Sequence, residues 1–195
     1  RVLCMASTGA QYAYTMSEEG SDGLVAPFFL DNAPAEGKLI PSSGNATYIG
    51  VKNLSAEPVT LTIRYSNIGN LDVTPTVNTY VLAASGSVSW RPSKNDPLLE
   101  GSAVNVPDMA TGVGGSAVIT ASGPIAGRLL TIASNGSMSA YTLRSAEGSQ
   151  MLVVPFFQDT APADGKYPPE VNASSFIGVK NLTAEPVTLT IRYAN

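Results

Sequence analysis

The chain has 195 residues, 44% of them hydrophobic and only 13% charged, with a net charge of −4. That is enough apolar material for a packed core, and the acidic balance argues against nucleic acid or anionic lipid as a main partner. With no histidine and a single cysteine, Ser-His-Asp and Cys-His catalysis, His-ligated metals, intrachain disulfides and Cys-rich metal sites are excluded.

Apolar and polar residues alternate with a period of two through most of the chain, which predicts strands. In chain order these fall at 2–6, 11–16, 24–29, 48–53, 59–65, 78–83, 87–90, 116–120, 128–133, 139–143, 151–157, 176–181 and 187–193. The start, Arg1-Val-Leu-Cys-Met-Ala-Ser, superficially resembles a clipped signal peptide or a lipoprotein cysteine. It aligns, however, with Arg128-Leu-Leu-Thr-Ile-Ala-Ser, so it reads as strand and turn, with Cys4 where the other copy has Thr131. The clearest strand is 59–65. Val59, Leu61, Ile63 and Tyr65 fall on one face and Thr60, Thr62 and Arg64 on the other, the pattern of a half-buried strand. Residues 49–65 read as a hairpin turning at Ser55-Ala-Glu-Pro58, where a proline is tolerated. Further turn signals stand at Ser85-Gly, Gly114-Gly and Ser122-Gly-Pro. Loops rich in Pro, Gly and Ala are expected at 31–46, 91–109 and 159–174. No segment of ten residues carries a 3.6-residue period, and no apolar run approaches the roughly 18 residues of a spanning helix.

The sequence repeats itself. Pro27-Phe-Phe-Leu-Asp returns as Pro155-Phe-Phe-Gln-Asp, and Ile49-Gly-Val-Lys-Asn-Leu returns as Ile177-Gly-Val-Lys-Asn-Leu, at an offset of 128. Residues 26–67 and 154–195 are identical at 27 of 42 positions. Nearer the start the offset is 127, as in Ala13-Tyr14-Thr15 against Ala140-Tyr141-Thr142. A unit of about 127 residues is therefore present one and a half times. We expect a first unit at 1–127, made of a half A (1–67) and a half B (68–127), and a second half A at 128–195. Many short strands at roughly ten-residue spacing predict an all-β fold, an Ig-like or jelly-roll-type β-sandwich, internally duplicated.

The order A, B, A leaves one half A without a half B. Its exposed strand edges would template association, and head-to-tail contacts that do not close give filaments. Alternatively, the chain is a piece of a longer tandem array, or each half is a small sandwich of its own. The pattern Ile-Gly-Val-Lys-Asn-Leu-(Ser/Thr)-x-x-Pro-Val-Thr-Leu-Thr-Ile-Arg-Tyr, followed by Val81-Leu-Ala and Gly114-Gly-Ser-Ala-Val-Ile, resembles secreted bacterial β-sandwich repeat proteins of surfaces, stalks and fibres. The resemblance implies an extracellular or cell-surface structural role and carries over no functional residues. The expected function is head-to-tail assembly of the protein with itself, by strand and core completion, into a filament, sheath or surface layer. The candidate carriers are Val59, Leu61, Ile63, Tyr65, Val187, Leu189, Ile191 and Tyr193. The alternative is an adhesin or carbohydrate-binding repeat that uses Trp90 and the loop 159–169, with a glycan or another surface protein as partner.

Other residue groups read less specifically. Asp31 and Glu36, with Asp159 and Asp164 in the second copy, could supply calcium ligands, but their spacing matches no known loop and Lys38 and Lys166 stand beside them. Asp96, Glu100 and Asp108 near Trp90 could serve glycoside hydrolysis; Trp90 alternates with Val88, as a core tryptophan does. Tyr12, Tyr14, Tyr48, Tyr65 and Tyr80 could form an aromatic stripe. Asn45, Asn53, Asn135, Asn172 and Asn181 each begin an Asn-x-Ser/Thr triplet, and Asn53 and Asn181 end strands before a turn that asparagine favours. Gly112-Val-Gly-Gly and Gly123-Pro are turns rather than phosphate loops. No cofactor, membrane span or catalytic role is expected.

Overall fold

A computed structural model describes residues 20–68, 78–93, 106–109, 112–152 and 177–193, together with the backbone of 2–5 and 11–14. The chain divides into two units, Arg1–Glu147 and Gly148–Asn195.

The first unit is all-β among the described residues, and every strand pairing is antiparallel. Strands β1 (Val2–Met5) and β2 (Gln11–Tyr14) form a two-stranded sheet. An eight-stranded sheet is built from β3 (Ser21–Leu30), β4 (Asn45–Asn53), β5 (Val59–Asn67), β6 (Thr79–Leu82), β7 (Ser87–Trp90), β8 (Gly114–Ala133), β9 (Met138–Thr142) and β10 (Arg144–Ser145).

The 20-residue β8 organises the sheet. Up to Ala121 its neighbours are β3 and β5. Ile125 still faces Ser21 of β3, but from Ile125 on β4 lies along one edge and from Arg128 on β9 lies along the other. The change falls at Ser122-Gly123-Pro124, where proline cannot donate to a ladder. One leaf therefore runs β10-β3-β8-β5-β6 and the other β9-β8-β4-β7, with β8 common to both. Ala117, Ile119, Ile125 and Leu129, all odd positions of β8, meet Leu24 and Phe29 of β3, Ile49 and Val51 of β4, the apolar face of β5 and Trp90 of β7 in one buried core. This is an arrangement consistent with a β-sandwich. The even positions Leu130 and Ile132 close a smaller cluster with Ala33, Ala46 and Tyr48.

Several expectations are corrected. Residues 49–65 are not a hairpin: β4 and β5 do not pair with each other, because the turn between them carries the chain from one leaf to the other. Gly114-Gly115 is strand, not turn. A Cβ on Gly115 would lie 1.9 Å from the Ser66 carbonyl oxygen, so glycine there permits a close approach of β5 to β8. The boundary expected between residues 127 and 128 falls inside β8, and Arg128–Glu147 completes the sheet of the first unit.

In the second unit, 148–152 and 177–193 hold no strand. The strands expected at 176–181 and 187–193 are thus absent over their described residues. The one expected at 151–157 lies mostly outside the described residues.

Candidate functional site

The same seven residues, Val-Thr-Leu-Thr-Ile-Arg-Tyr, occur at 59–65 and 187–193. In the first copy they form β5, held on one edge by β8 (Leu61 opposite Ala121, Ile63 opposite Ile119, Tyr65 opposite Ala117) and on the other by β6 (Val59 opposite Leu82, Leu61 opposite Tyr80). Val59, Leu61, Ile63 and Tyr65 are then 2%, 0%, 0% and 0% exposed. Both edges and the apolar face are engaged within the chain, so these four residues do not offer the assembly surface expected of them. In the second copy Val187, Leu189, Ile191 and Tyr193 are 60%, 58%, 53% and 68% exposed. Intrinsic propensity is identical, so the difference lies in the neighbours. The strands β6 and β7 and the first part of β8 lie within residues 68–127, a stretch that the sequence does not repeat.

The turn that precedes each copy is the same in both. Asn53 Oδ1 accepts the Ser55 N–H at 2.8 Å while its Nδ2 donates to the Glu57 carbonyl at 2.8 Å. Asn181 Oδ1 accepts the Thr183 N–H at 2.9 Å and its Nδ2 donates to the Glu185 carbonyl at 2.8 Å. An asparagine side chain that bonds its own backbone two residues on makes this turn a local property. Among the described residues only the first copy adds a long-range bond, from Asn53 Nδ2 to the Ala83 carbonyl at 2.9 Å in the β6–β7 connection.

A matching relation holds at the other end. In the hairpin β8–β9, Leu129, Leu130, Thr131 and Ile132 face Tyr141, Ala140, Ser139 and Met138. In β1–β2, Val2, Leu3, Cys4 and Met5 face Tyr14, Ala13, Tyr12 and Gln11. Each pair of the second hairpin sits 127 residues before its counterpart in the first. Cys4 is thus an ordinary ladder position.

The remaining candidates lie apart from this site. Asp31 is buried and is no calcium ligand. Its Oδ1 accepts from Arg91 Nη2 at 2.5 Å, from Arg91 Nε at 2.9 Å and from the Thr47 N–H at 3.1 Å. Its Oδ2 accepts from the Ser93 hydroxyl at 2.6 Å and the Ser93 N–H at 3.0 Å. Arg91 also donates to the carbonyls of Ala33 and Pro34. The network pins the 31–44 loop to the end of β7. Sequence reasoning passed over Arg91; the available signal was a lone cation in Trp90-Arg-Pro-Ser, directly after a core strand.

Trp90 is completely buried, and its Nε1 donates to the Tyr65 hydroxyl at 2.7 Å. Its ring therefore offers no face to a sugar, which corrects its place as a ligand candidate. Tyr65 passes the bond on to the Pro107 carbonyl at 2.8 Å, and burial pushes its phenol above the ordinary tyrosine range. Tyr48 is buried and Tyr80 packs against the core, so no stripe forms from them. Tyr12 and Tyr14 lie on β2, where only the backbone is described. Glu36 meets the Ser42 N–H at 2.7 Å and Lys38 at 3.1 Å; the Ser42 backbone, then its hydroxyl, and Lys38 hold its carboxyl at about 2. Asp96, Glu100, Asp159 and Asp164 lie outside the described residues. Among the described residues no group of three or more His, Cys, Asp or Glu side chains is placed to hold a metal ion, and no helix is long and apolar enough to cross a membrane.

No protein-family model, curated protein or solved structure matches the chain.

Proposed function

We propose that the protein is an extracellular structural protein of duplicated Ig-like or jelly-roll-type β-sandwich modules, set head to tail and completed by one another's strands into a filament, sheath or surface layer. The observation that carries this reading is the two-state heptapeptide: buried between two strands at 59–65, exposed and without strand structure at 187–193. The common register of β1–β2 and β8–β9 adds to it. One full period, from Gly20 to Glu147, is flanked on each side by parts of the same unit. The assembling surface in this reading is Val187, Leu189, Ile191 and Tyr193 rather than their buried counterparts. A structural role also fits a core polar network whose groups bond to one another rather than facing a cleft.

The test is negative-stain imaging of the protein purified from its native source. Extended rods with a regular axial repeat are expected. Compact single particles that bind an immobilised glycan array would overturn the structural reading in favour of an adhesin.

A further inference from the structure

We infer that residues 177–193 are a docking site for a half-B polypeptide, a segment with the strand pattern of β6, β7 and the first part of β8. This names the partner of the surface proposed above and rests on that reading. The chain itself supplies the template. Each backbone position of 187–193 has a twin in β5, and each twin has an assigned neighbour. The partner of Leu189 would stand as Ala121 and Tyr80 stand to Leu61. That of Ile191 would stand as Ile119 stands to Ile63, and that of Tyr193 as Ala117 stands to Tyr65. Gly178 and Val179 would meet the equivalents of Ser89 and Val88, which face Gly50 and Val51 of β4.

Two further features select this partner. The turn at Asn181 already has the form of the turn at Asn53, so the corner between the two leaves is set before docking. Asn53 Nδ2 also bonds the Ala83 carbonyl of the β6–β7 connection; the equivalent carbonyl for Asn181 belongs to the incoming segment. Strand addition of this kind draws affinity from main-chain hydrogen bonds and specificity from alternate side-chain pockets.

A second copy of the present chain is the less suitable occupant. Its single half B is already engaged by its own β3, β4 and β5. Exchange between copies would open one module to build another, against the high effective concentration of strands in the same chain.

The test extends the chain. Asn195 is the twin of Asn67, so a second copy of residues 68–147 appended after Asn195 continues the repeat in register. Residue-resolved hydrogen exchange is read at 188–193 on the monomeric and dimeric fractions separately, with protection of the amides at 60–64 reporting that the first unit is folded. The expected result is at least about a 1,000-fold slowing in the extended chain relative to the 195-residue chain. Replacing the appended counterparts of Ala117 and Ile119 by Asp should abolish it. Two results overturn the inference: equally fast exchange with and without the extension, or protection already present in the 195-residue chain at twice its 20.2 kDa mass. Rods in native material with no slowing would leave the assembly reading standing and remove strand completion. Slowing without rods would do the reverse.

Discussion

Arg91 Nη2 and Asp31 Oδ1 lie 2.5 Å apart, and neither side chain reaches water. A buried pair tolerates removal of both partners far better than removal of one, because a lone charge is left without compensation. Asp31→Leu or Arg91→Met should each lower the stability of the first unit by about 3–5 kcal/mol. The double variant, Asp31→Leu combined with Arg91→Met, should cost less than the two single changes together. Urea denaturation followed by Trp90 fluorescence checks this, and added calcium should leave every midpoint where it was.

Trp90 is the one tryptophan, so its emission reports a single environment. Complete burial calls for a blue-shifted maximum and little quenching by iodide. Tyr65→Phe removes the acceptor of the Trp90 N–H. The expected cost is about 1–3 kcal/mol, that of a buried donor left unsatisfied. Addition of oligosaccharides should not change the spectrum.

Burial raises the phenol pKa of both Tyr65 and Tyr141; Tyr141 donates to the Phe28 carbonyl at 2.7 Å. The folded-state pKa is above the unfolded one, so the neutral form is the one the fold favours. This contribution is fully present below about pH 10, the ordinary tyrosine value, and is lost as pH rises beyond it. Thermal midpoints of the first unit should fall above about pH 10, and Tyr65→Phe should reduce the alkaline slope.

The paired turns and strands give an internal control. Ile63→Ala should destabilise the first unit by about 2–5 kcal/mol. Asn53→Ala, which breaks both turn bonds and the link to Ala83, should cost about 1–3 kcal/mol. Ile191→Ala and Asn181→Ala should move the Trp90-reported midpoint by less than about 0.5 kcal/mol.

Strand content was readable where alternation met a buried face, as in residues 59–65, 87–90 and 128–133. Asparagine before the turn was equally readable, since Asn53 and Asn181 act within five residues of chain. What alternation could not convey was which strands pair. Residues 49–65 resemble a hairpin locally, yet both arms pair with β8, more than 50 residues away in sequence. Gly114-Gly115 resembles a turn because the need for glycine arises from the Ser66 carbonyl of another strand. The buried apolar face of 59–65 and the exposed one of 187–193 were not separable in the sequence, because the two stretches are the same. Asp31 looked like a loop carboxylate because its counter-ion is 60 residues away in sequence.

Limited trypsin digestion with mass spectrometry tests the central claim most directly. Lys52 and Arg64 lie in β4 and β5, while Lys180 and Arg192 occupy the matching positions of the second copy with nearly the same flanking residues. Intrinsic cleavage rates are therefore matched, and any difference reports structure. For the monomeric 195-residue chain the account expects cleavage after Lys180 and Arg192 at least about 100-fold faster than after Lys52 and Arg64. Equal rates at the two copies would contradict it.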